Sequence, residues 1–135
     1  MTGKVSKLKT PDDVETIFYG AFRHCDVDVM ASLWAEGDVV CVHPGSGVIV
    51  GHDAVVRSWS HIFLGSSPPQ IKFTPGKRVL SGDLAVHVGT EEITTAGETA
   101  VVLTTNVYQK IGGGWFMIEH HASLVHAQPQ QQTLQ

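Results

Sequence analysis

The second half of the chain carries four strand-like segments in a row. The residue pattern is that of β-strands over about 71–80, 84–94, 99–111 and 115–126. Short stretches typical of hairpin turns separate them: SGD at 81–83, TAGE at 95–98 and GGG at 112–114. The second half is therefore predicted to form consecutive hairpins of one antiparallel sheet.

The first half carries helix signals. Thr10 is placed to cap a helix whose first residue is Pro11, and Asp13 completes a pair that resembles a capping box. Apolar residues then recur on one helical face: Val14, Ile17, Phe18, Ala21 and Phe22. Two further helices are predicted at about 27–35 and 53–64.

A short strand is predicted between the second and third helices, at 38–43, and a turn-rich loop follows at 44–51. Helices that precede a run of strands indicate an α+β domain, with helices on one face of a curved antiparallel sheet. We expect this domain to span residues 10–126, between a flexible tail at 1–9 and a disordered polar tail at 127–135.

Composition excludes several classes of protein. The 135 residues are 42% hydrophobic and 16% charged, which is typical of one globular domain. The net charge is −4 and basic residues form no stripe, so no nucleic-acid partner is expected. No apolar run approaches the roughly 18 residues of a membrane span, and no signal peptide is recognisable. We expect a cytoplasmic protein with two reduced cysteines and no membrane partner.

Eight histidines invite a metal site, but their spacing does not support one. His120 and His121 are adjacent on a predicted strand and would point to opposite faces. Neither an HExxH nor a Cys-x-x-Cys motif occurs. No metal and no cofactor are expected, and a metal site formed by His43, His87 and His121 across the sheet is the alternative.

Three segments carry a resemblance to a known family: DVDVMASLWAEGDVVCVHPG, GHDAVVRSW and TNVYQKIGGGWFMIEHHAS. With them, the chain resembles the nuclear transport factor 2-like superfamily, in particular its SnoaL-like and ketosteroid isomerase-like domains. The resemblance implies a cone-shaped domain, in which about three N-terminal helices close over the concave face of the sheet and enclose a pocket.

The resemblance also implies catalytic candidates. His43 stands directly before Pro44, where ketosteroid isomerases carry a carboxylate base, and a neutral imidazole can accept a proton at pH 7. Asn106 matches an acid of their oxyanion hole, and an amide can donate to a developing enolate. Tyr19 lies one residue out of register with their second donor, and Phe18 competes for that position. A structural histidine and a structural amide are the alternatives for His43 and Asn106.

The resemblance favours one face of the last strand as pocket-lining, namely the face with Trp115, Met117, Glu119, His121 and Ser123. The predicted pocket-lining residues are Trp34, Trp59, Phe63, His87, Glu91, Glu119, His121 and Ser123. Simple core packing is the alternative for the aromatic residues.

Two functions remain open. The first is a pocket that binds a small, mostly apolar molecule and, if it is an enzyme, acts as a cofactor-free isomerase, cyclase or dehydratase by proton transfer. The alternative is a non-enzymatic association module resembling that of calmodulin-dependent kinase. A homodimer is expected in both cases, because a broad antiparallel sheet face usually needs cover.

Overall fold

The computed structural model describes residues 7–65 and 67–125. Its helices are α1 (Pro11–His24), α2 (Val27–Leu33) and α3 (His52–Leu64). Its strands are β1 (Val40–Val42), β2 (Ile49–Val50), β3 (Gln70–Ser81), β4 (Leu84–Thr95), β5 (Glu98–Ile111) and β6 (Gly114–Leu124). The predicted C-terminal tail and the first six residues lie outside the described part.

Helix α1 begins as its sequence predicts. The Thr10 hydroxyl accepts from the Asp13 backbone N–H at 3.0 Å, and the Asp13 carboxylate accepts from the Thr10 backbone N–H at 3.1 Å. Together these bonds form a capping box, with Pro11 in the first turn. The helix ends at Cys25, whose left-handed backbone (φ 52°) turns the chain toward α2.

One six-stranded sheet has the order β2-β1-β6-β5-β4-β3. Strands β3 to β6 form the predicted antiparallel hairpins. Strand β1, however, pairs in parallel with β6, so the sheet is mixed. The two-residue strand β2 lies inside the predicted loop at 44–51, because a pair of residues is too short to show strand periodicity.

The helices cover the concave face of the sheet, and aromatic rings fill the space between them. Phe18 of α1 packs edge-on against Trp59 of α3, with ring centroids 5.5 Å apart. Phe22 packs against the same indole at 4.9 Å. Phe18 and Trp59 are each at most 1% exposed, so these rings fix α1 and α3 over the sheet.

A bulge in β6 exchanges the faces of that strand. Val107 pairs with Glu119, but the next residue, Tyr108, pairs with Met117, which leaves Ile118 as an extra residue. Trp115 and Met117 are buried before the bulge, and His120 and Ala122 are buried after it. The predicted inward face, which assumed regular alternation, is therefore wrong beyond Met117.

Gly89 of β4 makes room for a ring that supports the site. A Cβ atom at this position would lie 2.5 Å from the Phe73 ring and 2.5 Å from the Thr74 carbonyl oxygen. Because Gly89 has no side chain, Phe73 lies flat across β4 and stacks on Tyr19, with ring centroids 4.8 Å apart.

Candidate functional site

A cavity of about 260 Å³ lies between α1, α3 and the concave face of the sheet. Its walls are mainly apolar and include Phe22, Trp59, Ile62, Phe63, Ile93 and Ala122. Three ionisable side chains also line it: His43 just beyond β1, Glu91 from β4 and His120 from β6. An apolar space with a few convergent polar groups is the usual form of a small-molecule site.

A chain of hydrogen bonds runs beneath this cavity. The Tyr19 hydroxyl donates to Glu91 Oε2 at 2.6 Å, and Asn106 Nδ2 donates to the Tyr19 oxygen at 3.1 Å. The other end of the Asn106 amide, Oδ1, lies 2.6 Å from Nδ1 of His120. All four side chains are at most 2% exposed, so the network ties α1, β4, β5 and β6 together in the interior.

The order of donors fixes the tautomer of His120. The single proton of Tyr19 goes to Glu91, so the Asn106 atom facing Tyr19 has to be the amide nitrogen. The amide oxygen then accepts from His120, which places a proton on Nδ1 of that ring. Nε2 of His120 carries a lone pair and makes no hydrogen bond with the described residues.

A similar argument applies to His43. The Ser58 hydroxyl donates its one proton to the Val55 carbonyl oxygen at 2.7 Å, so it accepts from Nε2 of His43 at 2.9 Å. The lone pair of His43 is therefore on Nδ1, which has no hydrogen-bond partner among the described residues. The Trp59 indole packs edge-on against the ring at 4.7 Å and holds it in place.

Burial sets the charge states of these groups. Complete burial lowers the pKa of His120 to about 3, and the neighbouring His43 and His121 contribute to the same shift. Burial also lowers the pKa of His43 and raises that of the Glu91 carboxyl. Both imidazoles are therefore neutral at pH 7, and each keeps one lone pair.

Several predicted site residues do line the cavity. His43, Trp59, Phe63 and Glu91 all do so. Asn106 and Tyr19, the two predicted oxyanion donors, are brought close together, but they lie beneath the cavity. Asn106 donates to Tyr19, and Tyr19 donates to Glu91.

Other predicted lining residues lie elsewhere. His121 and Ser123 are exposed and Glu119 is half-buried on the outer face, because of the bulge in β6. Trp34 forms an isolated bridge with Met117 and borders a separate groove beside Phe116. These four do not line the cavity.

His87 belongs to a second polar cluster near the start of α1, away from the cavity. Its Nδ1 lies 2.7 Å from Glu15 Oε1, and Arg78 donates to Glu15 Oε2, also at 2.7 Å. The imidazole packs against Tyr108 at 4.8 Å. This cluster joins α1 to β3 and β4. His87 was predicted to line the pocket, but it is not among the residues that line this cavity.

Of the three ionisable side chains His43, Glu91 and His120, the last is the one that the sequence did not reveal. Regular alternation from Met117 would place it on the outer face, and no residue of β6 signals the bulge. In a regular strand, His121 would take its place.

Among the described residues, no group of three His, Cys, Asp or Glu side chains is arranged to hold a metal ion.

No helix in the described part of the chain is both long and apolar enough to cross a membrane.

Similarity to solved structures is high over most of the chain. A structure from Thiobacillus denitrificans, assigned as a calcium/calmodulin-dependent protein kinase type II association domain, is 30% identical, with a TM-score of 0.85 over 90% of this chain and 100% of that one. A second, assigned as a dehydratase of the NTF2-like family from Streptomyces avermitilis, is 30% identical, with a TM-score of 0.78 over 87% and 100%. A ketosteroid isomerase-like protein from Erwinia carotovora shares the fold at 18% identity, with a TM-score of 0.74 over 86% and 94%.

Among curated proteins, F-box protein SKIP8 of Arabidopsis thaliana is 27% identical over 119 residues. The match takes in 87% of this chain and about half, 51%, of that relative. The model of the SnoaL-like domain matches residues 13–127. With its three helices over a curved sheet, the chain belongs to the SnoaL-like domain family of the NTF2-like superfamily.

Proposed function

We propose that the cavity binds a small, mostly apolar molecule and catalyses a cofactor-free proton transfer on it. The observation that carries this proposal is the pair of neutral imidazoles at the cavity, each with one nitrogen hydrogen-bonded internally and one lone pair left over. A base of this kind inside apolar walls suits isomerisation, cyclisation or dehydration, in which a proton leaves one atom of the substrate and is returned to another. The dehydratase assignment of a relative with 30% identity supports this class of reaction.

His43 is the base in this proposal. His120 accepts a proton poorly at neutral pH because its pKa is about 3. His43 lies at the end of β1 and is only half-buried, and Ser58 and Trp59 orient its ring. Asn106 and Tyr19 act as positioning residues, because they hold His120 and Glu91 at the cavity.

A general probe of proton abstraction tests the base. 5-Nitrobenzisoxazole loses a ring C–H proton to a base while its N–O bond breaks, and the coloured cyanophenolate is measured by absorbance. We expect turnover above the buffer rate, a loss of at least roughly tenfold in His43→Ala, and little change in melting temperature. His121→Ala, on the outer face, is the control. Equal rates in wild type and His43→Ala contradict the proposal.

A second candidate function is an association module. The outer face of the sheet exposes apolar side chains at Val88, Val101 and Leu103, which are 39%, 38% and 52% exposed. The 30% identical association-domain structure supports self-association of this fold. We propose a homodimer through this face. Sedimentation at micromolar concentration tests it, and a monomer there contradicts it.

A further inference from the structure

The three ionisable side chains named above, His43, Glu91 and His120, each offer hydrogen-bond acceptors. Nε2 of His120 and Nδ1 of His43 are lone-pair acceptors without partners among the described residues. The Glu91 carboxyl adds a third acceptor group, of which Oε2 already accepts from Tyr19. The site therefore offers acceptors from three different elements of the fold.

Two hydrogen-bond donors near the cavity are used within the protein. Tyr19 gives its proton to Glu91, and Asn106 donates to Tyr19. The Trp59 indole N–H is buried and has no hydrogen-bond partner among the described residues. Thr95 and Cys25 also line the cavity, and their hydroxyl and thiol can both donate and accept. Within the described part of the chain, no Lys or Arg lines it.

The walls favour positive charge as well. Phe22, Trp59 and Phe63 present aromatic rings to the cavity, and the face of an aromatic ring attracts a cation by about 0.5–2 kcal/mol. The volume of about 260 Å³ is below the roughly 300–1,000 Å³ of pockets for drug-sized ligands, which restricts the occupant to a small molecule.

We propose that the cavity takes a small organic ammonium ion with an apolar or aromatic body, whose N–H groups donate to His120 Nε2 and the Glu91 carboxyl. The inference rests on the proposed function, since it names the ligand class of the same site. In this arrangement His43 can act as the base on another atom of the ligand, because the imidazole centroids of His43 and His120 are 6.3 Å apart. The oxygen of a carbonyl or carboxylate ligand is itself an acceptor, so it would face the lone pairs of these protein groups without forming a hydrogen bond.

The buried carboxyl is consistent with a cationic ligand. Burial raises the pKa of Glu91, which means that its buried surroundings destabilise the carboxylate. A positive charge beside the group acts in the opposite direction and stabilises the carboxylate. A bound cation therefore stabilises the Glu91 carboxylate, and the carboxylate in turn strengthens binding of the cation.

Four probes of one skeleton test the inference by calorimetry on the full chain at neutral pH. Benzylammonium, benzyl alcohol, benzaldehyde and benzoate differ only in the polar group. We expect benzylammonium to bind at least about tenfold more tightly than benzyl alcohol, because charge-assisted hydrogen bonds are roughly twice as strong as neutral ones. Benzaldehyde and benzoate should bind more weakly still. The inference is overturned if benzaldehyde or benzoate binds as tightly as benzylammonium or more tightly. It is also overturned if benzylammonium does not bind at millimolar concentration.

Two pairs of adjacent residues provide matched variants. Glu91→Gln and His120→Gln should each weaken benzylammonium binding by about tenfold or more. Glu92→Gln and His121→Gln, at exposed neighbours on the outer face, should leave it unchanged. If Glu91→Gln or His120→Gln fails to fold, the order of the four probe affinities in wild type still tests the inference.

The outcome separates this inference from the proposed function. If benzaldehyde binds more tightly than benzylammonium and turnover of 5-nitrobenzisoxazole still requires His43, the ammonium inference fails while the proposed function stands. If benzylammonium binds as expected but turnover does not depend on His43, the ligand class holds and the proton-transfer proposal fails.

Discussion

At the scale of single residues, the hydrogen-bond partners of a histidine decide what it can do. His120 and His121 are adjacent and identical, yet one is 1% exposed and hydrogen-bonded to Asn106, and the other is exposed on the outer face. Burial disfavours the charged form of the His120 ring. The pH dependence of stability should show this effect.

His120 should make the fold sensitive to acid. Its pKa is about 3 in the folded chain and about 6.5 when unfolded, so the unfolded state binds more protons between these values. The contribution of the neutral His120 ring to the free energy of unfolding is complete above about pH 6.5. It is lost as the pH falls toward 3, by roughly 1.4 kcal/mol per pH unit within that window. Denaturant unfolding at a series of pH values measures the slope.

The variants isolate this contribution. Glu91 affects the pH dependence of stability in the opposite sense, because its raised pKa favours the folded state at low pH. The slope of wild type therefore has to be compared with the slopes of the variants. His120→Gln should have a shallower slope between pH 3 and 6.5 than wild type. His121→Gln, at the exposed neighbour, is the control for the change of residue type. Equal slopes in wild type and His120→Gln would refute a buried neutral imidazole.

At the scale of helices and strands, periodicity and capping were sufficient to predict α1, α2, α3 and the β3 to β6 hairpins. The register of the site was not predictable in the same way. One extra residue at Ile118 decides whether His120 or His121 faces the helices, and no local composition distinguishes a bulged strand from a regular one here. The hydrogen-bond network of Tyr19 and Glu91 joins residues 72 positions apart, so it depends on the tertiary structure.

The α1 cap gives a prediction at this scale. Thr10→Ala removes the hydroxyl that accepts from the Asp13 N–H, and should lower the free energy of unfolding by roughly 1 kcal/mol. Chemical denaturation measures the change. Thr16→Ala is the matched control, since this exposed residue lies within the helix, where alanine is the better helix former and should not destabilise. A Thr10→Ala protein as stable as Thr16→Ala would show that the cap contributes nothing.

At the scale of the whole molecule, the sheet separates two surfaces. Its concave face packs the helices and the cavity, while its outer face leaves Val88, Val101 and Leu103 exposed. Side chains alternate across a strand, so neighbouring residues can serve different purposes. Leu103, for example, precedes Thr104, which is 1% exposed on the concave side. Association and ligand binding should therefore respond to different mutations.

Leu103→Lys tests that separation. A charge in the middle of the outer face should shift the proposed dimer to monomer at micromolar concentration, because a buried unpaired ammonium costs several kcal/mol. Benzylammonium binding should stay within about twofold of wild type, since Leu103 does not line the cavity. Leu64→Lys, at an 86% exposed position of α3, is the control and should change neither property. If Leu103→Lys leaves sedimentation unchanged, the contact lies on another face; if it abolishes ligand binding as well, the two surfaces are coupled through the sheet.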